Sequence, residues 1–408
     1  MKLKIILEHR FFRTPDGSVW TEAALPYSVW QPYLKRFTSV NVIARIHNID
    51  QVSIDLSLSS GPGVTFTAVP YFIGPRQFLL KFGEVRRAMQ NSLNGDSAVL
   101  LRIPGTLGTV AYRVLKASGQ PYGAQIVADP HQVFAPGGVR HPLRFLFRWW
   151  FTRQLKTQAR HASVISYVTR VSLQERYPSQ ARFSNSFSNV QLPAGAFVDQ
   201  PRSNWDGLGK LEQPYRLILV GSLAQLYKSP DVILRAIAIC ADQGLHLHLT
   251  IVGDGRHRSE LENLARELKV QDQVTFAGQL SSGDAVREEL DRADIFVLPS
   301  RTEGLPRAMI EAMARAMPCI GSTVGGIPEL LPAEDMVPPG DAPALAQKLQ
   351  EVAISPQRLR EMSHRNLETA HSYADSVLAR QRQDFYECLA LETEAWQGET
   401  RSKSQGRK

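Results

Sequence analysis

The 408-residue chain is poor in cysteine: Cys240, Cys319 and Cys388 are odd in number, far apart, and show no CxxC or Cys/His spacing. That excludes a disulfide framework and a structural zinc site, and it fits a reducing cytoplasm. No uninterrupted apolar run reaches the roughly 18 residues that a membrane-spanning helix needs. The opening MKLKIILEHRFF is too briefly apolar for a signal sequence and reads as a first strand. GxGxxG, the Gxxxx-Gly-Lys-Ser/Thr loop and GxSxG are absent, so NAD enzymes, P-loop ATPases and α/β-hydrolases lack their local devices. Hydrophobic residues at 43% and charged residues at 21% exclude wholesale disorder and predict two or three globular domains.

Acidic residues are also missing where basic ones collect. The net charge is 47 − 39 = +8, yet no Asp or Glu occurs from Pro130 to Gln174. That stretch holds Arg140, Arg144, Arg148, Arg153, Lys156, Arg160 and Arg170. Basicity beside aromatics suits an anionic surface, and a solvated basic face is the plainer reading. At helical spacing, Leu143, Leu146, Phe147, Trp150 and Phe151 form one apolar stripe expected to pack inward. Phe145 and Trp149 fall on the other side among the arginines, an arrangement that suits an anionic membrane interface over Arg140–Arg160.

What is present is a rhythm of strands and helices. In the second half, Arg216–Gly221, His246–Gly253, Val274–Gly278, Asp294–Pro299 and the run PCIGS are strands separated by helical segments of 10–15 residues. Such alternation predicts a parallel sheet covered on both faces. Ser229-Pro230 reads as an N-cap and first-turn pair. The first half repeats the pattern more loosely, with strands at Leu3–Leu7, Val40–Ala44, Val64–Val69, Ala98–Arg102, Ala124–Ala128 and Ser163–Tyr167. Its helices are expected at Arg76–Leu93, Thr106–Ala117 and Pro142–Ala159. The expected division is 1–193, a Gly/Pro-rich linker at 194–214, 215–373, a helix at 374–396 and a disordered basic tail at 397–408.

The densest signal is DIFVLPSRTEGLPRAMIEAMARAMPCIGSTVGGI, residues 294–327. It places Glu303 and Glu311 with seven residues between them, followed by Ala312-Met313-Ala314, Pro318 and a Val324-to-Glu329 loop. Glu303 leaves a strand's C-terminal end, where open α/β sheets bind ligands, and Glu311 sits in the following helix. Carboxylates accept hydrogen bonds from vicinal diols, and a helix N-terminus offers free N–H groups to a diphosphate. This ordered set, with Val252–Gly255, Val274–Gly278 and Val337–Asp341, resembles the donor segment of retaining glycosyltransferases of family 4. The resemblance covers about Arg216 to Tyr373. It implies the GT-B fold, α/β, with two Rossmann-like domains facing a central cleft.

The resemblance further implies that Glu311 holds the ribose and Glu303 the donor sugar. Gly304, Leu305 and Pro306 would let the backbone approach, and Gly221, Ser222, Gly253 and Gly278 would line the nucleotide site. Where the family carries arginine, this chain has Ser222, and Lys228 comes one residue late as the phosphate contact. Arg102 is a candidate substitute for the missing cation. Asp129 or His131, after an N-domain strand, would reach the cleft as the catalytic side chain, and Glu8, His9, Asp16 and Gly17 fall where a Gly-rich acceptor loop is usual. No Asp-x-Asp is present, so a metal-independent enzyme is expected, with no cofactor besides the nucleotide sugar, UDP- or GDP-linked. The implied activity is retaining transfer of a sugar to a glycan or lipid-linked acceptor in bacterial surface polysaccharide or glycolipid synthesis, at the inner face of the cytoplasmic membrane. A GT-B epimerase or hydrolase, or a non-catalytic nucleic-acid-binding module, is the alternative.

Overall fold

The alternating segments resolve into two α/β units in the computed structural model, which describes all residues except 23–24, 54–55, 94, 136–137, 140, 206–207, 211, 282 and 406–408. Arg140, the first residue of the expected basic segment, therefore lies outside the described residues. Unit 1 comprises Met1–Pro130, Trp149–Phe187 and Ala379–Lys408; unit 2 comprises His131–Arg148 and Ser188–Leu378.

Among the described residues, nine strands of unit 1 form one sheet: β1 (Lys2–Arg13), β2 (Val19–Glu22), β3 (Ser39–Asn48), β4 (Leu56–Leu58), β5 (Val64–Val69), β6 (Ala98–Ile103), β7 (Gly123–Ile126), β8 (Val164–Tyr167) and β9 (Phe183–Ser186). Seven are parallel, in the order β5-β3-β1-β6-β7-β8-β9. The helices are α1 (Gln31–Leu34), α2 (Gly74–Ser92), α3 (Thr106–Ser118), α4 (Pro130–Val133), α5 (Arg144–His161) and α6 (Ser172–Arg176); the division between units falls within α4 and again within α5.

The first strand runs well past the expected Leu7. It pairs β6 only through Leu3–Ile6, then bulges, spending Leu7–His9 opposite the single Ala44 of β3, and resumes pairing at Arg10. Beyond the bulge its free edge takes the antiparallel β2 at Phe12 and Arg13, and β4 follows β2. A bulge re-aims side chains and ends pairing. Between β1 and β6 the sheet therefore opens after Ile6.

One face of this sheet buries Ile6, Ile43, Val99, Leu101, Val110 and Leu115 under α2 and α3. The other face is closed by α13 (Asp375–Gln405), whose Phe385 and Leu389 lie against Gly123. Phe385, Tyr386 and Leu389 are buried there, Tyr386 against Tyr33 and Phe37. The stretch after Trp396, expected to be disordered, continues this helix to Gln405.

Unit 2 holds β10 (Tyr215–Val220), β11 (Leu247–Val252), β12 (Val274–Gly278), β13 (Ile295–Leu298), β14 (Cys319–Ser322) and β15 (Met336–Val337), all parallel in the order β12-β11-β10-β13-β14-β15. Its helices are α7 (Pro230–Asp242), α8 (Arg258–Glu267), α9 (Asp284–Arg292), α10 (Arg307–Ala314), α11 (Ala342–Ala353) and α12 (Pro356–His371). The chain lays β11 and β12 on one side of β10, then returns to place β13 on the other. Strand order reverses at β10/β13, and at such a switch point open sheets leave a crevice.

The expected linker is not a loose connector. Arg202 is anchored by the carbonyls of Leu290, Ala293 and Arg315, at the C-terminal ends of α9 and α10, and Trp205 is buried. A guanidinium satisfying helix C-terminal carbonyls fixes the segment to unit 2. The expected inward stripe of α5 also differs. The helix starts only at Arg144, and Leu143 and Leu146 are each 53% exposed, as are Phe145 (65%) and Trp149 (58%). Its fully buried positions are Leu155, Gln158 and Ala159 in the last turns; of the expected stripe, Phe147, Trp150 and Phe151 are half-buried, Phe147 against Phe134 and His141, while Leu143 and Leu146 face outward.

Candidate active site

The loops that leave β10, β11 and β12 are drawn together by backbone contacts. Gly253 N–H donates to the Gly278 carbonyl at 2.7 Å, and Gly221 N–H to the Val252 carbonyl at 2.8 Å. Gly253 has φ +138°, and a Cβ there would stand 2.1 Å from the Gly221 oxygen, so no other residue fits. Gly221, Gly253 and Gly278 thus form one floor at the strand ends. Ser222 stands exposed on it, its hydroxyl accepting from Ala224 N–H at 3.2 Å, which makes it a turn residue where a cation was expected.

Lys228 reaches into this site. Its stem lies against Gly221, and its ammonium donates to the Val220 carbonyl at 3.3 Å and stands 3.7 Å from Glu303 Oε1. The loop that presents it is pinned by Arg301. That guanidinium pairs with Asp231 at 2.6 Å and donates to Ser229 Oγ at 2.9 Å and the Leu226 carbonyl at 3.2 Å. Ser229 precedes α7 as expected, but at φ +60° and with no side-chain cap; its hydroxyl serves Arg301 instead. A non-glycine residue held at positive φ is a backbone cost that the Arg301 contacts offset.

Glu303 follows β13 and accepts from Ser300 Oγ at 3.2 Å. Gly304 accepts from Gly326 N–H at 2.6 Å, and Gly325 at φ +58° passes so close to Glu303 that a Cβ would lie 2.1 Å from its carbonyl oxygen. The loop at Val324–Gly326 is therefore laid directly over Glu303 and Gly304. Leu305 and Pro306 are buried, and Pro306 precedes the first turn of α10. In the second turn, Glu311 is largely buried, and burial pushes its carboxyl above the usual carboxylate range despite Arg307, Lys228 and Arg287. It makes no hydrogen bond or ion pair with a described residue, so its oxygens remain available for a ligand. The Lys228 ammonium stands beside Glu303, and its charge, with those of Arg307 and Arg287, partly offsets the effect of burial on Glu311.

Two residues that sequence reasoning missed complete the arrangement. Arg301 lies inside the motif, two positions before Glu303, and could have been suspected from that spacing. Gln132 could not. With its amide turned to match donors to acceptors, it donates to the Glu303 carbonyl at 3.2 Å and accepts from Gly325 N–H at 3.3 Å. The segment after Pro130 is thereby joined to the donor-side loops of unit 2. His131, its neighbour, accepts from the Arg148 guanidinium at 2.8 Å. Asp129 belongs to unit 1, 5% exposed, where it accepts from Tyr177 Oη at 2.5 Å and pairs with Arg176 at 3.0 Å. Arg102 likewise belongs to unit 1, as do Glu8 and His9.

Residues 214–354 match the family described as Glycosyl transferases group 1, a span that holds every unit 2 candidate named from the sequence except His131. The two-unit α/β architecture is the GT-B fold, shared over nearly the whole chain with solved glycosyltransferases. Fold and domain together define a glycosyltransferase. Over 353 residues, 85% of each chain, the protein is 26% identical to Protein CapJ of Staphylococcus aureus. It is 36% identical to the amylovoran biosynthesis glycosyltransferase AmsK of Erwinia amylovora over 145 residues, 33% of this chain and 35% of AmsK. Anabaena HepE, solved in complex with UDP-glucose, aligns with a TM-score of 0.64 and 14% identity over 96% of this chain and 99% of HepE.

Proposed function

We propose that the protein transfers a sugar, with retained anomeric configuration, from a nucleotide diphosphate sugar to a growing surface glycan or a lipid-linked acceptor. The observation that carries this reading is the half-buried Glu311 carboxylate, without a hydrogen bond or ion pair to a described residue, beside the Glu303–Lys228 pair at the switch point of unit 2. A buried carboxylate without a partner is costly to keep and suits a ligand that supplies hydroxyls. In this reading Glu311 accepts from the ribose diol and Glu303 from the sugar hydroxyls. Lys228 and the glycine floor take the diphosphate.

The anomeric carbon–oxygen bond breaks toward the diphosphate, and the acceptor oxygen bonds the same carbon from the same face. The acceptor proton passes to the departing phosphate oxygen. The protein contributes position and a cation at the leaving group, without a metal ion. His131 is assigned to the sugar side, supported by the contact of its neighbour Gln132 with Glu303 and Gly325. Asp129 is the weaker choice, because both its oxygens are engaged. The names of AmsK and of the UDP-glucose complex of HepE support a polysaccharide product and a UDP-sugar, with GDP-sugars as the second choice.

The exposed Phe145 and Trp149 support attachment to an anionic membrane. Arg144 lies over the Phe145 ring at 4.9 Å and Arg153 over Trp149 at 5.7 Å. Among the described residues no helix is long and apolar enough to cross a membrane, so α5 would lie on the surface.

A screen of nucleotide sugars by thermal stabilisation tests the donor. The cognate one should raise the melting temperature of the wild type. Glu311→Ala should weaken its binding by about 1–3 kcal/mol, and Glu303→Ala should lower transfer more than binding of the bare nucleotide. Unchanged affinity and rate in both variants would overturn the assignment.

A further inference from the structure

Lys228 stands on a segment that its own side chains do not anchor. The single turn Leu226–Lys228 contains no buried residue, and Ala224 and Gln225 before it are exposed. The turn closes on itself through Ser229 N–H, which donates to the Leu226 carbonyl at 3.0 Å. Surface turns with so little apolar cover open readily. Yet the Lys228 stem is held across Gly221 so closely that a Cβ there would meet its Cδ at 2.2 Å, with the ammonium on the Val220 carbonyl. The hold has to come from outside the turn.

Arg301 supplies it from the loop after β13, the strand paired with β10. Its backbone N–H donates to the Tyr227 carbonyl at 2.7 Å. Its Nη1 donates to the Leu226 carbonyl at 3.2 Å, to Ser229 Oγ at 2.9 Å and to Asp231 Oδ1 at 2.9 Å, and its Nη2 to Asp231 Oδ2 at 2.6 Å. Oxygens of Leu226, Tyr227, Ser229 and Asp231 thus converge on one residue, and Lys228 between them is left facing the glycine floor. The guanidinium fork is matched to the Asp231 carboxylate, so its charge is spent there and not offered to a phosphate. Ser229 sits at φ +60°, a conformation that glycine adopts more cheaply, and its hydroxyl is one of the gathered oxygens. Two positions after Arg301 comes Glu303, which accepts from Ser300 Oγ at 3.2 Å. One short segment, residues 300–303, therefore sets both members of the Lys228–Glu303 pair.

We propose that Arg301 is a positioning residue of the sugar transfer: by gathering oxygens on either side of Lys228, it holds the ammonium over Gly221, where the leaving diphosphate arrives. The words sugar transfer and diphosphate rest on the glycosyltransferase reading; the hold of Arg301 on Lys228 does not. Stability alone is a poor account of the pair. The Arg301 and Asp231 side chains are 25% and 21% exposed, and ion pairs at that depth add little once desolvation is counted. A cation that meets charge developing on a leaving group works best when fixed in advance, because no reorganisation is left to the moment of reaction.

Two measurements test this. In the ligand-free protein, reductive methylation with formaldehyde and borohydride, followed lysine by lysine by mass spectrometry, reads how firmly Lys228 is held. Its side chain is 13% exposed and should react slowly in wild type. Arg301→Gln and Asp231→Asn should each speed its labelling by ~10-fold or more. Lys348, 17% exposed and paired with Glu351, should keep its rate and report that unit 2 is intact. Arg301→Lys, which retains the charge but not the fork, should fall between. An unchanged Lys228 rate in both Arg301→Gln and Asp231→Asn, or a rise that Lys348 shares in both, overturns the proposal. Calorimetry with UDP and GDP supplies the second measurement, as a cycle with Lys228→Ala. Arg301→Gln should weaken the nucleotide that wild type binds by ~10-fold, and should add nothing in the Lys228→Ala background. An equal loss in both backgrounds would show that Arg301 acts elsewhere, and the proposal would fall. Binding of neither nucleotide to wild type would remove the transferase reading, while the methylation rates would still decide whether Arg301 places Lys228.

Discussion

The carboxyl ends of the two sheets carry opposite chemistry. In unit 2, β10 and β13 end in glycines, two glutamates and one lysine, with loops laid backbone to backbone so that a Cβ at Gly253 or Gly325 has no room. In unit 1, Arg10 of β1 stands opposite Arg45 of β3, Arg102 is the penultimate residue of β6, and burial keeps His9 neutral near pH 7. A surface of carboxylates and backbone amides selects hydroxyls and a diphosphate at short range and tolerates little variation. A set of long guanidinium side chains recognises charge and leaves the rest of its ligand undefined.

Several outcomes would break or sharpen that contrast. The largest effect is expected at Lys228. Lys228→Ala should depress turnover by ~100-fold or more, because negative charge develops on the leaving diphosphate beside it. Steady-state rates with and without EDTA check this, and a strict requirement for a divalent ion would show that the single-cation account of unit 2 is incomplete. An effect of intermediate size is expected at Glu311. A carboxyl whose folded-state pKa is raised costs stability when ionised, and that cost disappears as the pH falls below its ordinary value of 4.5. Glu311→Gln should therefore melt a few degrees higher than wild type at pH 7–8, with the gap closing toward pH 4, while nucleotide binding is lost. Melting curves across pH that run parallel for the two proteins would remove Glu311 from the strained, ligand-ready group.

The smallest effect belongs to α5. Each basic residue near an anionic surface contributes roughly 1 kcal/mol, so Trp149→Ala or Arg153→Glu should reduce, without abolishing, co-sedimentation with phosphatidylglycerol vesicles. Equal recovery of variants and wild type in the pellet would leave the exposed aromatics without a membrane role.

The contrast also explains what could be read from the sequence. Glu303, Glu311 and the Val324–Gly326 loop lie within 24 consecutive residues, so the ordered set is legible as one motif and carries the family resemblance. Gly221, Gly253 and Gly278 are legible for the same reason, each ending a strand. Arg10, Arg45 and Arg102 come from three strands joined only by the sheet register, and a lone arginine after a strand looks like any surface cation. The bulge at Leu7–His9 hid the second half of β1, because it breaks the period-two alternation by which a strand is recognised. Gln132 carries no signal at all, since its meaning depends on two backbone atoms far along the chain. The linker failed for another reason. Its Gly/Pro composition describes local conformation and says nothing of Arg202 reaching three carbonyls at two helix ends.

The closing helix α13 sets an order on biosynthesis. All of unit 2 has been polymerised once Leu378 is made, and within it Leu192 and Asp375 bond each other, N–H to carbonyl at 3.0 Å and N–H to carboxylate at 3.1 Å. The sheet that is synthesised first must wait for the last thirty residues, since Phe385, Tyr386 and Leu389 are what cover its second face. A chain stopped near residue 378 would therefore contain all of unit 2 while the second face of its N-terminal sheet stayed bare.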